Sequence, residues 1–293
     1  MSSFTDALAR FAARGLVAAD LSSSEWRDVP LALRERAFFS ARIAHARRLQ
    51  EIKDRVESLL NPQTVRRADR VTPQNPDGFV TEGLDPATAR AEIKQIRQSI
   101  GYNPGDKAGT IQDLSSDARI NLQLKTNVES AQGYAGFLQG QSEGALEAFP
   151  AQELFRAEDR GEPRNWPTRW MQSGGQIFGG RMIALKSDPV WQTIGDSTLF
   201  PDALGNPYPP FAFNSGMWVR DVSREDAIAL GLMAATDPVR TVLQDYNARL
   251  EASAQNLEPE VLQSLQTTFG DRIRITGDRI EWNPRGTIPP PRN

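Results

Sequence analysis

The chain of 293 residues contains no cysteine and a single histidine, His45. Disulfides are therefore excluded. So is a zinc site of thiolate or multi-imidazole type, which needs ligands in numbers this sequence lacks. No cofactor and no metal are expected. No apolar run approaches the roughly 18 residues of a membrane-spanning helix, so no membrane partner is expected. Residues 1–11 have neither the basic nor the apolar segment of a secretory signal. A Walker A loop and a dinucleotide fingerprint are both missing. Charge of one sign is scarce in excess, with 34 Lys+Arg against 37 Asp+Glu, and the net value of −3 gives no global attraction to nucleic acid.

What is present is the composition of a soluble folded protein, 39% hydrophobic and 24% charged, long enough for one large domain or two smaller ones. The charge is uneven. Residues 1–70 hold 13 Lys+Arg and 9 Asp+Glu, a balance of +4, leaving 21 and 28, or −7, for the remainder. The positive excess falls on Arg34, Arg36, Arg42, Arg47, Arg48, Lys53 and Arg55, within a helical pattern that starts at an Asp28 cap and runs to Leu60. Such a stripe suits DNA phosphates or an acidic partner. It equally suits a solvated face, because Glu35, Glu51, Asp54 and Glu57 are interspersed.

Helix and turn signals divide the chain into three. In residues 1–84, Phe4, Ala7, Leu8 and Phe11 form one apolar stripe before Gly15, and Ile52, Val56 and Leu59 form another that Asn61-Pro62 stops. Residues 61–84, with Pro62, Pro73, Pro76, Gly78 and Gly83, read as a linker or long loop. Residues 85–232 read as the core. Asp85-Pro86 opens a helix carrying Ala89, Ile93, Ile96 and Ile100, closed by Gly101. Ser115 or Ser116 caps another, with Ile120, Leu124, Val128 and Ala131, on which Gly133, Ala135 and Gly136 leave room for a second backbone. Short strands are expected at Ile177-Phe178, Met182 to Leu185 and Met217 to Val219, then a helix from Ser223 to Gly231. Residues 233–293 read as a closing module. A helix after Asp237-Pro238 would carry Val239, Val242, Leu243, Tyr246 and Leu250, and a shorter one would lie near Pro259 to Leu265. Arg272 to Thr276 and Arg279 to Trp282 alternate around Gly277-Asp278, the signature of a two-residue hairpin with Ile273, Ile275, Ile280 and Trp282 on one face. The expected fold is α+β, predominantly helical, with a small β-sheet core and a C-terminal β-hairpin.

The stretch from Ser187 to Leu232 is the most informative. Pro189, Pro201, Pro207, Pro209 and Pro210 are set among Trp191, Phe200, Tyr208, Phe211, Phe213 and Trp218. It is too aromatic for a solvated linker and too rich in proline for a helix. An ordered irregular loop anchored by Trp191, Tyr208 and Phe213 remains, and long loops of this kind are usually functional.

Asp188-Pro189 followed by Trp191, then Tyr208-Pro209-Pro210, then Asn214-Ser215-Gly216-Met217, resembles the closing motif of the phage Mu F-like minor head proteins. Glu25-Trp26-Arg27-Asp28 with Arg36-Ala37-Phe38 is similar to the family's N-terminal pattern. Lys125-Thr126-Asn127 with Ala131-Gln132-Gly133-Tyr134-Ala135 is similar to its central helix. The resemblance spans roughly Trp26 to Leu232. It implies a structural, non-enzymatic minor head (head morphogenesis) protein of a tailed bacteriophage, made in the host cytoplasm and located in the virion, inside the capsid near the portal. Its partners would be the portal protein and other head proteins. The positive N-terminal region, with its separate apolar stripes, is the expected contact. Packaged DNA would be a weak partner through Arg34, Arg42, Arg47, Arg48 and Arg55. Many relatives close the loop with Cys-x-Cys and an upstream His. Here Met217-Trp218-Val219-Arg220-Asp221 stands instead, so the resemblance carries no metal.

Catalytic constellations are weak, and no catalytic, cofactor-binding or metal-binding residue is assigned. His45 reads as packing beside an apolar stripe. Gly140-Gln141-Ser142-Glu143-Gly144 matches the hydrolase elbow, but a helix precedes it where a strand is required. Glu153, Glu158, Asp159, Glu162, Asp196, Asp202 and Asp221 could supply a carboxylate pair for cell-wall glycan hydrolysis, although nothing singles out two. Trp166, Trp170, Trp191 and Trp218 read mainly as core and loop anchors. Two alternatives to the head protein thus stand: a DNA-associated internal virion protein and a cell-wall-acting hydrolase.

Overall fold

The computed structural model describes residues 11–282 apart from 20, 23–25, 27–28, 30, 35–36, 61–62, 67, 78, 83–84, 160, 244–249 and 254–258. Phe4, Leu8, Arg36 and the Asp28 cap lie outside the described residues. The fold is α+β.

The long basic helix expected up to Leu60 is not formed. Instead β1 (Gly15–Leu16), α1 (Leu31–Arg34), β2 (Ala37–Phe38) and α2 (Ala46–Leu60) follow one another, with β1 and β2 parallel. The reason is burial on all sides. Ala37, Phe38, Ser40, Ala41 and Ile43 are all buried, which a one-faced helix cannot achieve. Arg42 turns the chain at φ 60°, and its N–H donates to the Leu21 carbonyl at 2.8 Å. Of the basic residues, Arg47, Arg48, Lys53 and Arg55 lie on α2, whereas Arg34 and Arg42 lie outside it. Lys53 is buried and holds the Ala12 and Arg14 carbonyls at 2.6 and 2.8 Å. Within the expected linker, β3 (Gln63–Arg66) pairs antiparallel with β4 (Phe79–Glu82).

The next helices match the expectation, because their caps are local. In α3 (Pro86–Ser99), Asp85 accepts from the Ala87 and Thr88 amides and Pro86 starts the first turn. In α4 (Asp117–Gly140), Ser116 is the cap. Ile52 and Val56 of α2, Ile93 and Ile96 of α3, and Ile120 and Leu124 of α4 bury one another, together with Phe11 and Phe38. The two N-terminal apolar stripes, as far as they are described, are thus consumed internally and offer no free face.

After α5 (Glu143–Ala148) comes the sheet. Its strands are β5 (Ala151–Arg156), β6 (Ile177–Phe178), β7 (Arg181–Leu185) and β8 (Met217–Val222), antiparallel in the order β6-β7-β5-β8. Between β5 and β6 lies α6 (Trp166–Gln172), capped by Asn165. Between β7 and β8 lies a loop interrupted by α7 (Val190–Ile194), a short helix where none was expected. Pro189 sits just ahead of that helix, where a missing N–H costs nothing. Trp166, Trp170, Trp191 and Phe211 are buried against the sheet. Trp191 donates to the Leu185 carbonyl at 2.8 Å, and its ring lies 5.1 Å from that of Trp170. Tyr208 is buried as expected of an anchor, whereas Phe213 is only half-buried.

Ser223 caps α8 (Arg224–Ala229), ended by Gly231 at φ 73°. The helix expected after Asp237-Pro238 is not formed over residues 237–242; Leu243 is helical, and residues 244–249 of that expected helix lie outside the described residues. The Val242 amide donates to Gln141 Oε1 at 2.9 Å and the Leu243 amide to Thr241 Oγ1 at 3.2 Å. Leu250 belongs to β9 (Leu250–Ser253), not to a helix. The expected α9 (Pro259–Phe269) and the hairpin of β10 (Ile273–Thr276) and β11 (Arg279–Trp282) are formed, and β9 adds a third strand beside β11. This module closes on the start of the chain: Val17, Ala19, Leu21 and Leu33 share one core with Val261, Leu265, Ile273 and Ile280. A side chain at Gly15 would have its Cβ 2.3 Å from Thr268 Cγ2, so glycine permits β1 to lie against α9.

Candidate functional site

Segments far apart in sequence meet at one cavity of about 160 Å³, lined by residues from α3, α4, the chain around β2 and the loop before β8. Gly133 on α4 makes the meeting possible. A Cβ there would lie 1.7 Å from the Pro209 carbonyl oxygen, so only glycine lets that loop rest on the helix. Tyr208 then packs on Tyr134 and Phe137, with ring centroids at 5.5 and 5.4 Å. Arg34 ties the N-terminal segment to the same loop, donating to the Val29 and Leu204 carbonyls, both at 2.8 Å.

The wall is rich in donors and basic. Among the described residues it includes Arg14, Arg34, Arg97 and Arg119 and neither Asp nor Glu, and the amides of Gln123, Asn127 and Asn206 donate to Ser40 Oγ and to the Gln123 and Pro210 carbonyls. Arg97 is the centre of it, at 1% exposure. It donates to the Ala41 carbonyl at 3.1 Å, to Ser40 Oγ at 3.0 Å and to Gln123 Oε1 at 3.3 Å. Its Nε has no hydrogen-bond partner, and Asp113 acts on it through charge without a direct hydrogen bond. Burial pushes its pKa down to about 10, still charged at neutral pH. Burial also lowers Arg119. On the apolar side, Trp26 and Phe39 stack with centroids 4.6 Å apart. Among the described residues of this wall there is no His, Asp, Glu or Lys.

The sequence candidates are placed elsewhere or apart. Of the arginines, Arg34 is half-buried at the cavity, Arg42 lies in a turn, Arg47 and Arg48 pair with Glu51, and Arg55 pairs with Glu92 at 2.5 Å. They form no continuous basic stripe. His45 is exposed just before α2, not packed beside its apolar face. Ser142 is the cap residue of α5 and its hydroxyl donates to the Gln139 carbonyl, so the G-x-S-x-G stretch is a helix-to-helix turn.

The acids face cations. Asp202 meets Arg164 and Arg169, each at 2.9 Å; Asp221 meets Lys186 at 2.7 Å; Glu158 meets Lys125. Asp196 accepts from Thr198, and Asp159 and Glu162 are exposed. Glu153 is buried on β5 between Arg181 and Arg220. Burial pushes its carboxyl up, but hydrogen bonds from the two arginines outweigh this and hold it below the usual range. A glycosidase acid needs the opposite shift. Trp218 is half-buried beside a second hollow that Lys186, Asp221 and Gly140 also line. Among the described residues no three His, Cys, Asp or Glu side chains are grouped to hold a metal, and no helix is long and apolar enough to cross a membrane.

Arg97 escaped the sequence reading, yet a signal was there. It follows Ala89 and Ile93 at steps of four, a charge set on an apolar stripe. In comparisons with known proteins, no family model, no curated protein and no solved structure matches this chain.

Proposed function

We propose that this chain is a structural minor head protein of a tailed bacteriophage, acting inside the capsid near the portal by contact and not by catalysis. The reading rests on the resemblance to the Mu F-like proteins. One observation supports it: Trp26, Ala37, Thr126, Asn127 and Tyr208, drawn from the three separate motifs that carry the resemblance, all line the same cavity. Motifs matched by chance have no reason to converge in space. The portal contact needs an exposed surface, and of the apolar stripes first considered for it the described Phe11, Ile52 and Val56 are buried. The exposed, charged face of α2 around Arg47 and the exposed rings and chains at Phe149, Met171 and Leu199 remain as candidates. DNA contact through the arginines is a weaker reading, since Arg48 and Arg55 are already paired with acids.

The test is quantitative mass spectrometry of purified particles from a phage or induced prophage that encodes this chain, with co-purification on its tagged portal. A few copies per particle, protected from protease until the heads are opened, is the expected result. Absence from particles, or hundreds of copies digestible from outside, would refute the assignment.

A further inference from the structure

Glycine leaves space where any other residue would fill it. Gly136 and Gly140 lie a turn apart on α4, and Gly144 follows in α5. An added Cβ would meet nothing within 4 Å at Gly136 or Gly144, and at Gly140 it would stand 3.4 Å from Lys186 Nζ. The sheet faces them. Gln152 of β5 lies directly opposite Asp221 of β8 and Ala184 of β7, two residues before Lys186, so the three polar side chains share one face. The hollow left between helix and sheet measures about 370 Å³, inside the roughly 300–1,000 Å³ of small-molecule sites. Its polar groups are not consumed by the chain. Lys186 is 5% exposed, and its Nζ lies 2.7 Å from Asp221 Oδ1 but off the hydrogen-bonding direction, with no hydrogen-bond partner among the described residues. A buried ammonium with three donors and no acceptor calls for one. Gln152 is half-buried, and its amide makes no hydrogen bond among the described residues. The half-buried Trp218 and the exposed Phe149 line the same hollow.

We infer that this hollow binds an uncharged saccharide, its hydroxyls on Lys186, Asp221 and Gln152 and one C–H face of its ring against Trp218. Charge selects the class first. Lys186 and Asp221 cancel, so neither an anion nor a cation gains net attraction. Hydrogen bonding selects it next. The ammonium donates, the carboxylate accepts and the amide does both, an array that suits hydroxyl groups, each of which is donor and acceptor at once. The aromatic wall then suits a ring that is apolar on its faces and polar at its edge. The glycine wall lets such a ring approach the helix backbone closely. This site is independent of the head-protein role and of the arginine-lined cavity.

The full chain is titrated by calorimetry with glucose, galactose, N-acetylglucosamine, cellobiose and chitobiose, and with glycerol as the acyclic control. The expected result is saturable one-to-one binding of at least one sugar with a Kd of about a millimolar or tighter, and glycerol at least about tenfold weaker. Because the recognised groups are neutral as a set, the Kd should be the same at about 0.1 and about 1 M salt. Gln152→Ala should lose about tenfold in affinity. Gly136→Leu fills the hollow from a position where the Cβ has room, and leucine favours a helix over glycine. That variant should abolish binding while its unliganded Tm stays at or above the parent's. Three results would each overturn the inference: no sugar bound up to about 10 mM, glycerol bound as tightly as the sugars, or sugar binding unchanged in either variant.

Discussion

Two glycines one turn apart on α4 should respond to the same substitution with opposite sign. Gly133→Ala places a Cβ 1.7 Å from the Pro209 carbonyl oxygen and 2.7 Å from its carbon, against an ordinary contact of 3.4 Å or more. The obstacle is backbone, so no rotamer change relieves it. Helix and loop must part by 1.7 Å along that line, and Tyr208, wedged between Tyr134 and Phe137, must follow. Overpacking of this kind costs about 3 kcal/mol. Replacing a helical glycine by alanine returns about 1 kcal/mol, leaving a net loss of about 2 kcal/mol. At Gly136 nothing lies within 4 Å of the added Cβ, so only the helix term acts and the variant should gain about 0.5–1 kcal/mol. The assay is urea unfolding followed by far-UV circular dichroism, read as a shift in midpoint at constant m. The two midpoints should fall on either side of the parent's. If Gly133→Ala is as stable as the parent, the close seating of the loop on α4 is wrong, and with it the geometry of the cavity.

Glu153 provides a pH-dependent test. Its folded pKa lies below the ordinary value of 4.5, so its contribution is present above that value and is lost as pH falls through the folded pKa. Glu153→Gln should cost about 1–2 kcal/mol at neutral pH, since Arg181 and Arg220 keep part of their hydration, and the deficit should shrink as pH falls below 4.5; a deficit that stays constant with pH would contradict the assignment. Trp191→Ala should destabilise by about 3–5 kcal/mol by opening a cavity against Trp170 and Phe211, checked by chemical unfolding. A loss under about 1 kcal/mol would mean the ring is not the anchor of this loop.

The parts legible in the sequence are those that local chemistry decides. Asp85-Pro86, Ser116, Ser223 and Gly277 each act within a turn of themselves, and each does what its residue type predicts. The Trp170, Trp191 and Phe211 cluster was legible because so many rings cannot remain hydrated. The break in the basic helix was not, since nothing near Ala37 to Ile43 forbids a helix; burial from several sides does. The start expected at Pro238 was placed too early for a related reason, with Gln141, about 100 residues earlier, capturing the Val242 amide. The site was half legible. Its motif residues were picked out in three places, but their meeting depends on one close approach at Gly133, and the burial of Arg97 depends on Ser40 and Ala41, more than 50 residues earlier.

Val17 and Leu21 rest on Val261 and Ile273, partners made more than 200 residues later. At a ribosomal speed of about 5–20 residues per second, the first segment waits on the order of 10–50 s before its other half leaves the tunnel. During that wait Val17, Leu21 and Leu33 form an open apolar surface on a nascent chain whose middle has already been synthesised. The central sheet can complete its own pairing first, and the ends then dock onto one another as the closing step. A product cut off before Val261 would therefore leave Val17, Leu21 and Leu33 without the residues that cover them.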